Sequence, residues 1–368
     1  MEFTFELATS ADETDIRRLL ANNPIPGSVT LTYEREPNYF LGCSTLGHFC
    51  QVVVARHQPS GELAGVVSRA TRPLFINGQV EEVGYLSQLR VDPKFQGRWL
   101  VGPGFRCLRH LHADGRVKGY LASIIEGNRQ ATGILVDRPR RRYPAFREVC
   151  RLWTLALIVR RPKRAPASVY QISRGSRANL GEIVAFLRQQ GTTKQFFPVY
   201  TEADFDHSSL TRDFNLEDFF LARQGGQLVG VMGLWEQSAY KQSVVQGYSG
   251  ALGRFRSLYN LGLRSVGAQP LPSPGEKIRL AYASFISIAN NNPAIFQVLL
   301  RHVYHLAAER QVAYLMVGLA ENDPLLPTAR RYWHIPYPSR LYTVCWENEA
   351  CFHDRLDRRP VYIEIAAL

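Results

Sequence analysis

The sequence predicts an α/β chain of the α+β kind. It reads as two units, each a mixed, mostly antiparallel sheet flanked by helices. Three observations carry this. The 368 residues exceed what one hydrophobic core usually organises. Strands and helices follow one another in an order that recurs, more loosely, beyond a basic, Pro-rich stretch at 161–167. Between them, Leu86–Arg98 runs an apolar strand into a Pro turn and a Gly-containing loop, and an apolar helix follows to about Leu111. The expected organisation is a first unit over 1–160, a linker over 161–167 and a second unit over 168–368.

Residues 2–8 alternate as a strand does. Ser10 is read as a helix N-cap with Glu13 completing a capping box, ahead of apolar Ile16, Leu19 and Leu20; Asn22-Asn23-Pro24 ends this helix. Gln51–Arg56 and Leu63–Ser68 form strands across a Pro59–Glu62 turn. Arg72–Ile76 and Val80–Val91 form two more across Asn77-Gly78, a tight-turn pair. After the loop and helix come a strand at Gly119–Ile125, a short helix at Asn128–Leu135 and a strand at Val149–Val159. The second unit reads as a strand at Val169–Arg174, a helix at Leu180–Gln189, a hairpin at Phe219–Glu236, strands at Val244–Ser249 and Ile278–Ile288, a helix opened by Pro293, and strands at Val312–Val317 and Leu341–Trp346.

Composition is that of a globular protein, 45% hydrophobic and 21% charged, and no apolar run reaches bilayer-spanning length. The N-terminus lacks the pattern of a signal peptide. Six scattered cysteines form no CxxC pair, so reduced thiols in a cytoplasmic protein are the simplest expectation. The net charge of +12 divides as +9 over 1–164 and +3 over 165–368. The half with the Gly-containing loop therefore holds most of the excess, which suits a polyanionic ligand.

That loop can bind an anion. A helix start leaves backbone N–H groups unpaired and adds partial positive charge, Gly97 permits close approach and Arg98 adds a cation. The residues Val91-x-Pro93-x-x-Gln96-Gly97-Arg98 resemble the acyl-CoA signature of the GNAT superfamily of N-acyltransferases, where V-x-P leads into [Q/R]-x-x-G-x-[G/A] at a helix start. Aligned on Gln96, the two small positions fall on Trp99 and Val101, with Gly102 and Gly104 just downstream. Asn128-Arg129-Gln130-Ala131 resembles the family's N-x-x-A-x-x-L-Y, with Leu135 where Tyr is usual. The resemblance covers about residues 1–160 and matches the element order. It implies that the backbone at Leu89, Arg90 and Val91 faces the pantetheine arm. Gln96, Gly97, Arg98, Trp99, Leu100 and Val101 would face the pyrophosphate, and Asn128 either contacts pantetheine or caps its helix. The second half has Ala289-Asn290-Asn291-Asn292-Pro293 at the matching place, without Gly or cation. That half is expected to serve structure or acceptor recognition.

Acylation of an amine needs a polarised carbonyl, a base for the ammonium and a proton for the leaving thiolate. Glu34 and Glu36 share a face if Thr30–Glu36 is extended, and they are the candidate bases. Tyr143 is the phenol nearest the missing Tyr. Tyr85 and Ser87 share a strand face suited to relaying a proton or binding the acceptor. Arg138-x-Arg140-Arg141-Arg142 is the densest basic cluster, read either as a solvated loop or as an anion contact. His110-x-His112 and His302-x-x-His305 lack the further ligands a metal needs, so no metal is expected.

The leading expectation is a cytoplasmic acyl-CoA-dependent N-acyltransferase. It would use acetyl-CoA, or another acyl-CoA, on a small-molecule or peptide amine, with no metal and no membrane partner. Two alternatives stand beside it: a catalytically inactive GNAT-like protein that senses CoA or binds a partner, and an acyltransferase acting on charged tRNA, which would make nucleic acid a partner.

Overall fold

The computed structural model describes residues 2–98, 100–137, 143–161, 168–206, 208–346 and 351–368. The chain opens with β1 (Phe3–Leu7). The helix that follows is capped one residue earlier than its sequence suggests. Thr9 and Asp12 form the capping box, Thr9 N–H donating to Asp12 at 2.7 Å, and a single turn at Ser10–Asp12 leads into α1 (Glu13–Ala21). Glu13 is engaged elsewhere: it accepts from Arg17 at 2.6 Å and from the Tyr39 N–H at 3.0 Å. Next come β2 (Val29–Glu34), α2 (Tyr39–Cys43), β3 (Phe49–His57), β4 (Leu63–Ile76) and β5 (Gln79–Val91). β4 is one strand where the sequence reads as two. Polar Arg69 lies in the stretch between the two expected strands, yet it is buried. It is paired bidentately with Asp114 at 2.8 Å and donates to the Tyr120 hydroxyl at 3.0 Å.

The first half closes with α3 (Val101–His112), β6 (Tyr120–Ile125), α4 (Arg129–Leu135) and β7 (Ala145–Ile158). Then follow β8 (Gln171–Arg174), α5 (Leu180–Gly191), β9 (Phe219–Gln224), β10 (Gln227–Trp235) and β11 (Gln242–Tyr248). The last elements are α6 (Gly250–Arg254), α7 (Arg256–Ser265), β12 (Leu280–Ile288), α8 (Pro293–Glu309), β13 (Tyr314–Ala320), α9 (Leu326–Ala329) and β14 (His334–Cys345).

Twelve strands form one continuous sheet in the order β1-β3-β4-β5-β6-β14-β7-β13-β12-β10-β9-β8. Its pairings are antiparallel except β5–β6 and β12–β13. The two closing strands are exchanged. β14, from late in the chain, lies between β6 and β7, and β7 lies between β14 and β13. Six of the residues 161–167 fall outside the described residues, and the segments on either side of them belong to this single sheet. β2 and β11 form a separate two-stranded sheet that ties the halves together.

The exchange has an energetic purpose in the first half. β5 and β6 pair only at Gly84–Tyr120 and Tyr85–Leu121 and then diverge. β6 would lose most of its ladder if β14 did not pair along Tyr120–Ile125 on its other edge. In the second half α5 and α8 bury Leu180, Leu187, Phe296, Leu299 and Val303 in one large core with β9, β10 and β12. Contact there is close: a Cβ on Gly230 would sit 2.6 Å from Ile295. Cys345 and Cys351 form a disulfide, contrary to the expectation of reduced thiols; Cys43, Cys50, Cys107 and Cys150 are free.

Candidate active site

Beyond the point where β5 parts from β6, it bulges against β4. Val66 pairs with Arg90 and Ser68 with Ser87, so Gln88 and Leu89 together oppose Val67. Gln88 takes a left-handed backbone, φ 57°, which an L-residue holds only at a cost of about 1–3 kcal/mol. β12 repeats the device: Val231 pairs with Ser287 and Gly233 with Ser284, and Phe285 has φ 58°. The local sequences correspond, Tyr85-x-Ser87-Gln88 against Tyr282-x-Ser284-Phe285.

The two bulges have different surroundings. At the second, the Phe285 N–H donates to the buried Glu364 carboxylate at 2.7 Å, and the Tyr362 hydroxyl donates to the same oxygen at 2.8 Å. Ile365 packs so tightly on Gly318 of β13 that a Cβ there would lie 2.1 Å away. Residues 362–365 thus fill the gap between β12 and β13. At the first bulge the gap between β5 and β6 opens into a cavity of about 1380 Å³. Ser87 Oγ and Gln88 Oε1 on its wall are buried without a hydrogen-bond partner. Ser284 and Ser287 Oγ at the second bulge are likewise buried without one, so it is the open space that sets the first bulge apart.

No known protein family's sequence profile matches the chain. No curated protein matches it. Solved structures do. N-myristoyltransferase of Saccharomyces cerevisiae with bound myristoyl-CoA superposes with a TM-score of 0.63 at 8% identity, over 95% of this chain and 83% of that one. A GCN5-related N-acetyltransferase from Sphaerobacter thermophilus gives 0.55 at 13% identity, over 99% and 98%. The GCN5-related glucosamine N-acetyltransferase region of a fungal multi-domain β-N-acetylglucosaminidase gives 0.59 at 15%, over 93% of this chain and 38% of that one. The chain has a GNAT-type fold.

Within this GNAT-type fold, Leu89, Arg90, Val91, Gln96, Leu100, Val101 and Asn128 all line the cavity. Gly97 is exposed with φ 82° and open space around it. Arg98 is turned to Glu2 and lies over the Phe95 ring, off the cavity wall. Trp99 and the Arg138–Arg142 cluster lie outside the described residues. α3 starts at Val101 with no side-chain cap; Pro103 has no N–H and the Gly104 N–H donates to Leu100 at 3.0 Å, which leaves Val101 and Gly102 of the first turn to meet an anion. The Asn128 side chain caps α4, accepting from the Ala131 N–H at 3.0 Å, and Leu135 presents an apolar surface to the cavity. Tyr143 packs on Phe105 at 5.0 Å between ring centroids, off the wall.

Alternation along β2 and the residues after it decides the fate of the two acids. Leu31, Tyr33 and Arg35 face the cavity, and the intervening side chains face away. Glu34 accepts from the Thr32 hydroxyl at 2.6 Å. Glu36 pairs with Arg17 at 2.6 Å, and its backbone brackets the Gln242 amide, at 2.8 and 2.9 Å, fixing the sequel of β2 against β11. Neither acid lines the cavity. Tyr85 does, its hydroxyl 3.1 Å from that of Ser123 just beyond the last β5–β6 pair; burial pushes this phenol up to about 12, so it stays protonated.

Sequence reading missed the opposite wall. Lys241, in the loop before β11, reaches the cavity and donates to the main-chain oxygens of Ala366 and Leu368 at 2.6 and 3.1 Å. Burial, and then the nearby Arg35 guanidinium, hold its amine well below the usual lysine range. Burial, and then Arg35 again, also lower Arg90. Tyr282 stands on the same wall, pushed up to about 12 by burial. Nothing local in the sequence marks Lys241; only the β2–β11 pairing brings it there. The described residues hold no cluster of three metal-ligating side chains, and no helix among them is long and apolar enough to cross a membrane.

Proposed function

We propose that this protein is an acyl-CoA-dependent N-acyltransferase whose cosubstrate lies between β5 and β6. The observation that carries the reading is the contrast between the twin bulges. At Phe285 the bulge N–H donates to a carboxylate oxygen. At Gln88 the same backbone geometry borders the open cavity. A thioester carbonyl placed there would receive the hydrogen bond that Glu364 receives in the second half, stabilising the oxyanion as it develops.

The amine nitrogen attacks the thioester carbon, the C–S bond breaks, and the thiolate departs along the cleft. Lys241 is the proton acceptor for the incoming ammonium. Lys241 spends two N–H bonds on Ala366 and Leu368, and burial weakens its hold on a further proton, which suits it to proton exchange with the amine. Tyr85 and Ser123 offer hydroxyl donors near the sulfur. The first turn of α3, Gln96 and Gly104 suit the pyrophosphate. The α5–α8 half, with its own cleft filled, supplies Lys241 and Tyr282 to the acceptor side.

Acetyl-CoA is the cosubstrate the motif suggests. The size of the cavity and its largely apolar wall favour a longer acyl chain as the second reading. The acceptor is an amine on a small molecule or peptide. Calorimetry with CoA, followed by thiol release from acetyl-, octanoyl- and myristoyl-CoA over an amine panel, tests both parts. Absence of CoA binding at millimolar concentration refutes the acyl-CoA site, and binding without turnover on any amine refutes the transferase.

A further inference from the structure

The segment Gly250–Gly267 has no buried residue, although it contains both α6 and α7. Helices of this length are held in place by burying an apolar face. Here one face is only lightly engaged: Leu252, Tyr259 and Leu263 touch the cavity mouth, and Asn260 ties the helix to the Leu271 backbone at 2.8 Å. The opposite face is apolar too. Leu258 and Leu261 there are each 65% exposed, while Phe255 and Tyr259, one turn apart on the first face, are still 50% and 51% exposed. The segment carries Arg254, Arg256 and Arg264 and no acid.

This surface continues beyond the helix. Gly267 lies against the Arg161 side chain, so close that a Cβ would sit 2.5 Å from it. The neighbouring Arg160 guanidinium stacks 4.0 Å over the ring of Trp333, which is 54% exposed. Ile335 and Tyr337 then lead from Trp333 back to the cavity wall. The mouth is rimmed by protruding leucines, aromatic rings and arginines.

We propose that this rim docks on the surface of an anionic phospholipid membrane. Exposed aliphatic knobs flanked by arginines, with a tryptophan at the same level, match an interface of hydrocarbon under negative headgroups. A second copy of the chain fits poorly, because a two-fold contact would press the same arginines against each other. A nucleic acid would use stacking aromatics rather than leucines. The expectation of no membrane partner rested on the lack of a spanning run; lying on a surface requires none.

The test is co-sedimentation of the full chain with phosphatidylcholine vesicles, with and without phosphatidylglycerol. The protein should pellet with the anionic vesicles and stay in solution with the neutral ones. Leu258→Asp with Leu261→Asp should weaken binding by about tenfold or more, and Arg254→Ser should weaken it about fivefold. Both changes are at exposed positions, so the melting temperature should hold. Failure of the wild type to pellet overturns the proposal. So does a leucine variant that pellets like wild type, or a wild-type dimer that the leucine changes dissociate. None of these readings depends on acyl transfer.

Discussion

The carboxylate of Glu364 offers a quantitative test of the filled second cleft. One of its oxygens accepts from Phe285 N–H at 2.7 Å and Tyr362 hydroxyl at 2.8 Å, and the other accepts from Ala366 N–H at 3.3 Å. Glu364→Ala leaves the first two donors buried without an acceptor. At about 1–3 kcal/mol for each orphaned group, the cost is about 4 kcal/mol. With an unfolding entropy of roughly 2 cal/mol/K per residue over the whole chain, that is a fall of about 5 °C in melting temperature. Glu364→Gln keeps an acceptor oxygen for both strong bonds and loses only the longest, so it should cost about 1 kcal/mol and about 1 °C. Burial raises the Glu364 carboxyl despite these bonds. The folded state then binds the proton more tightly than the unfolded one, so stability falls as pH rises above the ordinary glutamate value. The Gln variant should lose that slope. Scanning calorimetry across pH reads both effects. Equal melting of the Ala and Gln variants, or an Ala variant as stable as wild type, would refute the claim that this side chain holds the second cleft closed.

Further outcomes are expected. Arg35→Met removes a like charge beside Lys241, so the lysine should rise in pKa and the acid limb of the pH–rate profile should shift to higher pH; Lys241→Met should abolish that limb together with most of kcat. Because the folded Lys241 is lowered, stability rises with pH below the ordinary lysine value, and Lys241→Met should flatten that rise in thermal melts. Gly84→Ala puts a Cβ 2.0 Å from the ring of Tyr120, which Arg69 and His112 hold in place. It should cost about 3 kcal/mol and weaken CoA binding measured by calorimetry, since it disturbs one of only two β5–β6 pairs. Residues 1–160 expressed alone lack β14 and should show no cooperative melt, whereas the whole chain should unfold in one transition.

Much of the element sequence was legible because its signals are local. The Asn77-Gly78 turn, the Pro293 helix start and the 86–111 strand–loop–helix all declare themselves within a few residues. The split at Arg69–Arg72 misled because the partners that bury Arg69 lie at 114 and 120. The cap moved from Ser10 to Thr9 because Asp12, not Glu13, was free to complete the box. The acids at 34 and 36 do share a face, but which face meets the cavity depends on the β2–β11 pairing more than two hundred residues away. The same pairing delivers Lys241. The bulge at Gln88 left no mark in the sequence until Phe285 was seen to repeat it, since one extra residue in a strand alters no pattern of type or charge.

The exchange of β7 and β14 also sets an order of events during synthesis. The strand that completes the ladder of β6 is the last of the described strands to be made, so the wall of the β5–β6 cleft waits for most of the chain. A nascent chain that has released only its first half holds the loop and the bulge but has no firm β6 beside them. Until residues 334–345 thread into the middle of the sheet, β6 and β7 are open edges exposed to chance pairing. Fidelity of assembly therefore rests on a late insertion, and holding those edges apart is a task for which chaperones are suited.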